Sequence, residues 1–441
     1  MRCRFLILLT CFLSNASSQE NVYPAKENKG ITIIKNAIIH VGNGKVFENG
    51  AIKISNGKIE QVGADISVPA GDVTVVDAKG KHVYPGLILP VSNLGLIEVS
   101  AVRATTDVRE IGEMNPSVRS IVAYNADSKV INTLRSNGIL LANIVPQGSL
   151  LAGSSSVVQL DAWNWEDAAY KTDAGIHFYM PSLMPGPRVG GAGSGGVSGT
   201  QQVQSDPVKE GLDKIDKVKT FFRVAKAYHD ADSHEETNLK FAAVKGLYNR
   251  TQKLYVHANM VKQMLVALDF IEEFGFEVVI VGGSESWQIA DLLKQNDVSV
   301  ILQQSHSLPT MKDDDIDQPY KTAAVLQKAG VLFSISDDDG STRGRNLPFN
   351  AGTAAAYGLT KEEAIQSITL NAAKILGIAD KTGSIEPGKD ANIVISEGDI
   401  LDMRSSIVTD AFIQGRKIDL TDKHKQLYER YNQKYNLKRP F

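Results

Sequence analysis

The middle of the chain alternates short apolar runs with longer segments whose apolar residues recur at helical spacing. Lys253–His257 is a strand-type run, and residues 261–271 after it carry apolar side chains at the i, i+3, i+4, i+7 spacing of one helix face. Further strand-type runs are Glu277–Val281, Val298–Leu302 and Val331–Ile335. Strands that alternate with helices form parallel βα units. The number of units that fit between residues 86 and 380 favours an eight-stranded (β/α)₈ barrel over an open sheet.

Both ends of this region have a different, β-rich pattern. Ile31–Ile39, Ala51–Ile54 and Lys58–Val62 are separated by Asn-Gly pairs, which favour tight turns because both residues tolerate positive φ. Ala391–Ile395 and Ala411–Ile413 have the same character near the other end of the chain. The two β-rich ends therefore predict one small domain built from both termini.

The first residues have the order of a secretory signal. A basic stretch, Met1–Arg4, precedes the apolar run Phe5–Leu13, and small residues follow up to Ser18. The apolar run is shorter than the roughly 20 residues that a membrane-spanning helix needs. We predict that residues 1–18 are a signal peptide, cleaved near Ser18, and that the protein is exported to the periplasm or secreted. Its cysteines, Cys3 and Cys11, both lie in this segment, which predicts no disulfide in the mature chain.

The net charge of the chain limits the kinds of molecule that it is expected to bind. The formal charge is −3 at pH 7, and removing the two arginines of residues 1–18 makes it −5. A mildly acidic chain without a basic block gives no basis for nucleic-acid binding, and no second apolar stretch is long enough for a membrane span. The glycine-rich segment 185–206 is either a surface excursion or a lid over a site. Residues 421–441 are predicted to be a solvated tail.

Several motifs resemble the amidohydrolase superfamily, in its imidazolonepropionase-like branch. They are Gly57–Gly63, Val83–Ile88, Asn346–Thr353, Thr369–Ala373 and Gly383–Asn392. The resemblance implies an α/β fold with a distorted (β/α)₈ TIM-type barrel over residues 85–382. It also implies a small β-sandwich domain from residues 19–84 and 383–420. The activity implied is hydrolysis of C–N bonds in a small amide-type substrate by metal-activated water.

The first metal-binding motif of that family is altered. In the family, Pro-Gly-Leu-Ile is followed by an acidic residue and then by His-x-His at the end of the first barrel strand. Here Leu89 replaces the acid, Val91 the first histidine and Asn93 the second. Valine has no lone pair to donate, and an amide oxygen is a poor zinc ligand compared with imidazole.

Part of the family pattern remains downstream. His257 matches the metal-binding histidine of the fifth strand, and Asp337 matches the eighth-strand aspartate that binds metal and carries a proton. Asp338 and Asp339 follow directly, so the match also fits one of them. His306 follows the seventh strand and is a third candidate ligand. The structural alternatives are a hydrogen-bonded His257 and an Asp337 that caps the next segment.

Two functional hypotheses follow. In the first, the chain is a metal-dependent hydrolase in which His257, Asp337 and His306 hold one divalent ion. Zinc is the metal expected before any other, and Asp337 is the catalytic residue. In the second, it binds no metal and is a non-catalytic binding or partner subunit. Such a subunit would pair with an active homologue or with its own copies. The lost His-x-His pair favours impaired hydrolysis, and the sequence leaves open whether the chain is an enzyme.

Overall fold

The structure is a computed structural model that describes residues 22–437 except 65, 68, 70, 72, 149, 185–205, 232 and 338–341. The predicted signal peptide, residues 1–18, lies outside the described residues. So do Asp338, Asp339 and all of the glycine-rich segment 185–206 except Asp206.

The strands of the described residues, in chain order, are β1 (Ile31–His40), β2 (Val46–Ser55), β3 (Lys58–Gly63), β4 (Val73–Asp77), β5 (His82–Pro85), β6 (Leu87–Ser92), β7 (Ile139–Ile144), β8 (Leu151–Gln159), β9 (Ala169–Tyr179), β10 (Lys253–Ala258), β11 (Val278–Gly282), β12 (Ser299–Leu302), β13 (Phe333–Ile335), β14 (Ile393–Ser396), β15 (Val408–Ile413) and β16 (Arg416–Lys417). The helices are α1 (Lys129–Arg135), α2 (Trp165–Ala168), α3 (Pro207–Asp230), α4 (Leu239–Ala243), α5 (Lys245–Tyr248), α6 (Val261–Phe274), α7 (Ala290–Gln295), α8 (Gln318–Ala329), α9 (Leu347–Ala356), α10 (Lys361–Ser367), α11 (Leu370–Leu376) and α12 (Lys423–Tyr435).

The two ends of the chain form one separate β-sheet. Its strand order is β16-β15-β14-β5-β1-β2-β3, with β4 also paired to β1. The turn between β2 and β3 has positive φ at Asn56 and Gly57, 49° and 78°, as the Asn-Gly pair predicts. Residues such as Ile34, Ile52 and Phe412 fill the buried core of this sheet.

The central sheet contains the eight strands from β6 to β13 in chain order and confirms the predicted barrel class. Neighbouring strands are parallel except around β8, which is antiparallel to both β7 and β9. Residues 145–150 join β7 to β8, and a parallel crossover needs a dozen residues or more, so this short link forces the reversal. The Ser336 hydroxyl donates to the Val91 carbonyl at 3.3 Å and links the end of β13 to β6.

Helices cover the outside of the barrel. On β9, Phe178 points outward and packs against Phe270 of α6, with ring centroids 5.6 Å apart. The predicted capping box starts α10: the Thr360 amide donates to Glu363 at 2.8 Å, and the Glu363 amide donates to the Thr360 hydroxyl at 3.2 Å. In the part of the chain that the structure describes, no helix is long and apolar enough to cross a membrane.

A buried ion cluster joins the terminal sheet to the barrel. Asp161, in the turn after β8, forms ion pairs with Arg135 at the end of α1 and with Arg416 of β16. The Ala25 amide also donates to the Asp161 carboxylate, at 2.9 Å. Burial lowers the pKa of Arg135, while Asp161 beside it acts in the opposite direction and favours the charged form. One carboxylate therefore holds three separate parts of the chain together.

We predict that Asp161→Ala lowers the free energy of unfolding by about 3–5 kcal/mol, because it leaves buried guanidinium charge without its partner. Urea denaturation followed by circular dichroism measures this. The control is Arg119→Ala, which breaks the more exposed pair with Asp173 and should cost about 1 kcal/mol or less. Equal losses in the two variants would contradict the role assigned to the buried cluster.

Candidate functional site

A cavity of about 300 Å³ opens at the carboxyl ends of the parallel barrel strands. This is the end at which barrel proteins build their active sites. The apolar residues that line it are Val91, Val145, Met180 and Val281. The polar ones are Ser92, Asn93, Gln147, Tyr179, His257, Asn259, Gln263 and Gln303.

Among the described residues that line this cavity, none has a charged side chain. The lining contains amides, hydroxyls and one imidazole, with no carboxylate, ammonium or guanidinium group. A charged ligand in such a cavity would lose its hydration without gaining an opposite charge.

Asn93 lies just past the end of β6 and is 7% exposed. Its Oδ1 atom is buried and has no hydrogen-bond partner in the structure. The neighbouring Ser92 hydroxyl accepts a hydrogen bond from the Leu94 amide at 3.0 Å. This bond fixes the turn of the backbone that follows β6 and contains Asn93. An unpartnered buried acceptor costs about 1–3 kcal/mol, and the residue that carries this one contributes to the lining of the cavity.

His257 forms a hydrogen-bonded pair with a second histidine. Its Nε2 lies 2.9 Å from Nδ1 of His177, which is on the neighbouring strand β9. The Tyr179 ring stacks on His257 with centroids 3.9 Å apart, and the Tyr255 ring stacks on His177 at 4.8 Å. The rings are thus held from their faces as well as their edges.

Burial keeps both imidazoles neutral. It lowers the pKa of His257 to about 3. It also lowers the pKa of His177 well below its usual range, and the neighbouring His257 adds to that effect. His257 is half-buried, and the edge that remains accessible faces the cavity that it lines.

Sequence analysis does not identify His177, because it lies inside an apolar strand and matches no motif position. The available signal is the i, i+2 spacing of His177 and Tyr179, which puts both on one face of β9. The register pairs them with Tyr255 and His257 of β10. Four ring-bearing residues at matched positions of adjacent strands therefore face the same space.

Asp337 is buried at the end of β13 but is absent from the described lining of the cavity. Its Oδ2 accepts from the Asn350 amide at 3.1 Å, and its Oδ1 lies 3.5 Å from Nε of Arg343. The carboxylate thus has contacts with the segment that leads into α9.

His306 also lies outside the described lining. It is exposed, and its Nε2 is 2.7 Å from the Thr353 hydroxyl on α9. Its ring meets the edge of Tyr320 on α8, with centroids 6.1 Å apart. The structure thus brings Val91, Asn93 and His257 together at the cavity, and it places His306 against the outer helices.

The donors at the cavity do not fit a catalytic divalent ion. Such a site needs about three protein ligands and an open position. Within the described ranges, no group of three or more histidine, cysteine, aspartate or glutamate side chains is placed to hold a metal. At the cavity, His257 Nε2 is already bonded to His177, and Asn93 offers an amide oxygen.

Comparison with known proteins agrees with this architecture. The sequence profile described as "Amidohydrolase family" matches residues 256–418. An imidazolonepropionase of Flavobacterium johnsoniae is 38% identical over 82 residues, which are 18% of this chain and 20% of that protein. An imidazolonepropionase of Thermoplasma volcanium is 40% identical over 86 residues, 19% of this chain and 21% of that protein. The matched segments thus span about a fifth of the length of these relatives.

Solved structures extend the likeness to nearly the whole chain. An amidohydrolase from Thermotoga maritima is 26% identical, covers 88% of this chain and 99% of its own, and has a TM-score of 0.74. A molinate hydrolase, 15% identical, shares the fold with a TM-score of 0.55 and covers 90% of this chain and 96% of its own. The profile match, the relatives and the barrel fold together support the amidohydrolase superfamily as the family of this chain.

Proposed function

We propose that the barrel mouth binds a small, uncharged, amide-type molecule and that metal-dependent hydrolysis there is impaired. The observation that carries this proposal is the neutral lining in which the Asn93 oxygen lacks a partner. A cavity of about 300 Å³ is at the small end of the range for ligand sites.

An amide fits this lining better than an acid or an amine does. Its N–H group donates to an acceptor such as Asn93 Oδ1, and its carbonyl accepts from the amide and hydroxyl donors around the cavity. A carboxylate has no proton to give Asn93 at neutral pH. An ammonium ion would enter a cavity whose described lining has no negative charge.

The second candidate is metal-dependent hydrolysis of a C–N bond. Superfamily membership favours it, as do the positions of His257 and Asp337 near the carboxyl ends of β10 and β13. In this candidate, His257 and Asp337 hold one divalent ion, His306 is a third ligand, and Asp337 carries the proton. A partner subunit that pairs with an active homologue is a form of the first candidate.

Ligand-observed NMR with 2-pyrrolidinone tests the proposal. We expect the lactam to bind wild type and to lose about 5- to 100-fold in affinity to Asn93→Leu, because the variant cannot accept its N–H. N-methyl-2-pyrrolidinone, which has no N–H, should bind equally weakly to both proteins. Propionamide and propionate give a second pair, of which only the amide should bind.

The control variant is Gln426→Leu, an amide-to-leucine change outside this cavity, which should leave lactam binding unchanged. Tight binding of propionate, or equal binding of the lactam to wild type and Asn93→Leu, would contradict the proposal.

The double variant Val91→His/Asn93→His tests the loss of metal binding. We expect it to retain near-stoichiometric zinc after dialysis, because two imidazoles at i, i+2 point to the same side of β6 near His257. Wild type should retain well below one equivalent, measured by plasma mass spectrometry. Adding His257→Gln to the double variant should lower its zinc content. Stoichiometric zinc in wild type would favour the hydrolase instead.

The neutral histidines predict acid lability. The folded-state pKa of His257, about 3, lies below its unfolded value of about 6.5, so the unfolded chain binds the proton first. Stability is therefore full above pH 6.5 and falls as the pH drops toward 3, by up to about 1.4 kcal/mol per pH unit. Urea denaturation from pH 7 to 4.5 should show a flatter profile for His257→Gln. Parallel profiles would contradict the buried, neutral state of His257.

A further inference from the structure

Below the mouth cavity, the barrel interior holds polar atoms without partners on three adjacent strands. They are Asn143 Oδ1 on β7, Ser155 Oγ on β8 and His177 Nε2 on β9. All three residues are 0% exposed. Nearly all buried polar atoms in proteins have a partner, which is often an internal water.

The strand register places these side chains on one face. Asn143 is opposite Val157, and Ser155 is opposite Gly175. Because side chains alternate along a strand, Ser155 shares a face with Val157, and His177 shares a face with Gly175. Ser155 is thus a diagonal neighbour of Asn143 on one side and of His177 on the other. Diagonal neighbours are about 7–8 Å apart at the backbone, so the three side chains enter neighbouring positions of the same barrel interior.

We infer that one water molecule binds among Asn143, Ser155 and His177 and fixes which ring nitrogen of His177 and His257 carries the proton. The Asn143 amide nitrogen donates to the Pro90 carbonyl at 3.1 Å, so its free Oδ1 is an acceptor. The water donates to Asn143 Oδ1 and to His177 Nε2, and it accepts from the Ser155 hydroxyl. Three hydrogen bonds are the usual number for an internal water.

This arrangement determines the proton positions along the histidine pair. When His177 Nε2 accepts from the water, its proton is on Nδ1, which donates to His257 Nε2 at 2.9 Å. His257 then carries its proton on Nδ1. The opposite arrangement puts a proton on His177 Nε2 and leaves one hydrogen of the group without an acceptor, which is unfavourable in a dry interior.

His257 therefore presents an N–H donor to the cavity. Its Nδ1 makes no hydrogen bond among the described residues and is not enclosed, so it belongs to the edge that lines the cavity. The His257 N–H donor and the Asn93 Oδ1 acceptor together are complementary to a ligand that has both a carbonyl and an N–H group. This step rests on the proposed binding of an amide-type molecule. Asn143, Ser155 and His177 are positioning residues, because they act through His257.

The test is ¹⁵N NMR of the full chain labelled at histidine, recorded at neutral pH, with His177→Gln and His257→Gln used to assign the signals. We expect protonated-type Nδ1 and unprotonated-type Nε2 at both residues in wild type. In Asn143→Leu, which keeps the side-chain volume and removes the acceptor, the Nδ1-H to Nε2-H ratio of His257 should fall about fivefold. Ser155→Ala should lower it in the same direction.

The matched control is Ser156→Ala, a buried serine on the opposite face of β8 that accepts from the Asp173 amide. It should leave the His257 signals unchanged while lowering stability slightly. A proton on Nε2 of His257 in wild type would overturn the inference, as would unchanged signals in a folded Asn143→Leu. If the signals are as expected and lactams fail to bind, the proposed function is wrong and the proton arrangement stands.

Discussion

The interior of this barrel is closed to bulk solvent, so each polar atom inside has to find its partner within the chain or in a bound molecule. Strands with both faces buried normally carry apolar side chains. Here Asn143, Ser155 and His177 interrupt that pattern on three neighbouring strands. The stacked rings of Tyr179 and Tyr255 restrict how the two histidines turn. Because the two rings cannot turn freely, the directions in which their nitrogen atoms can form hydrogen bonds are fixed.

A shared barrel does not carry a shared chemistry once the residues at its mouth change. The imidazolonepropionases and this chain match over 82 and 86 residues, which is less than a fifth of this chain and too short to include the full barrel. The carboxyl end of β6 here has Val91 and Asn93, at the positions where the sequence resemblance leads us to expect two histidines. The same geometry that would orient metal ligands instead orients an amide acceptor.

The sequence predicts much of the fold because the relevant signals are local. The Asn56-Gly57 turn and the Thr360 capping box need only neighbouring residues, and both occur as expected. The strand-end positions of Val91, Asn93 and His257 follow from motif order. The direction in which a loop leaves the barrel depends on packing against residues that are distant in the chain. The sequence alone therefore does not determine whether Asp337 and His306 line the cavity. His177 was missed because its neighbours read as an ordinary apolar strand.

The reversed direction of β8 redistributes the chain between the two ends of the barrel. A regular strand would deliver its following connection to the rim around the ligand, where loops vary with substrate. This one delivers it to the opposite end, where Asp161 receives Arg135, Arg416 and the segment around Ala25. The rim thus has one fewer outgoing connection with which to reshape the entrance. The base of the barrel instead gains a point to which both ends of the polypeptide are bound, so fewer loops surround the entrance while the chain ends are held at the opposite side.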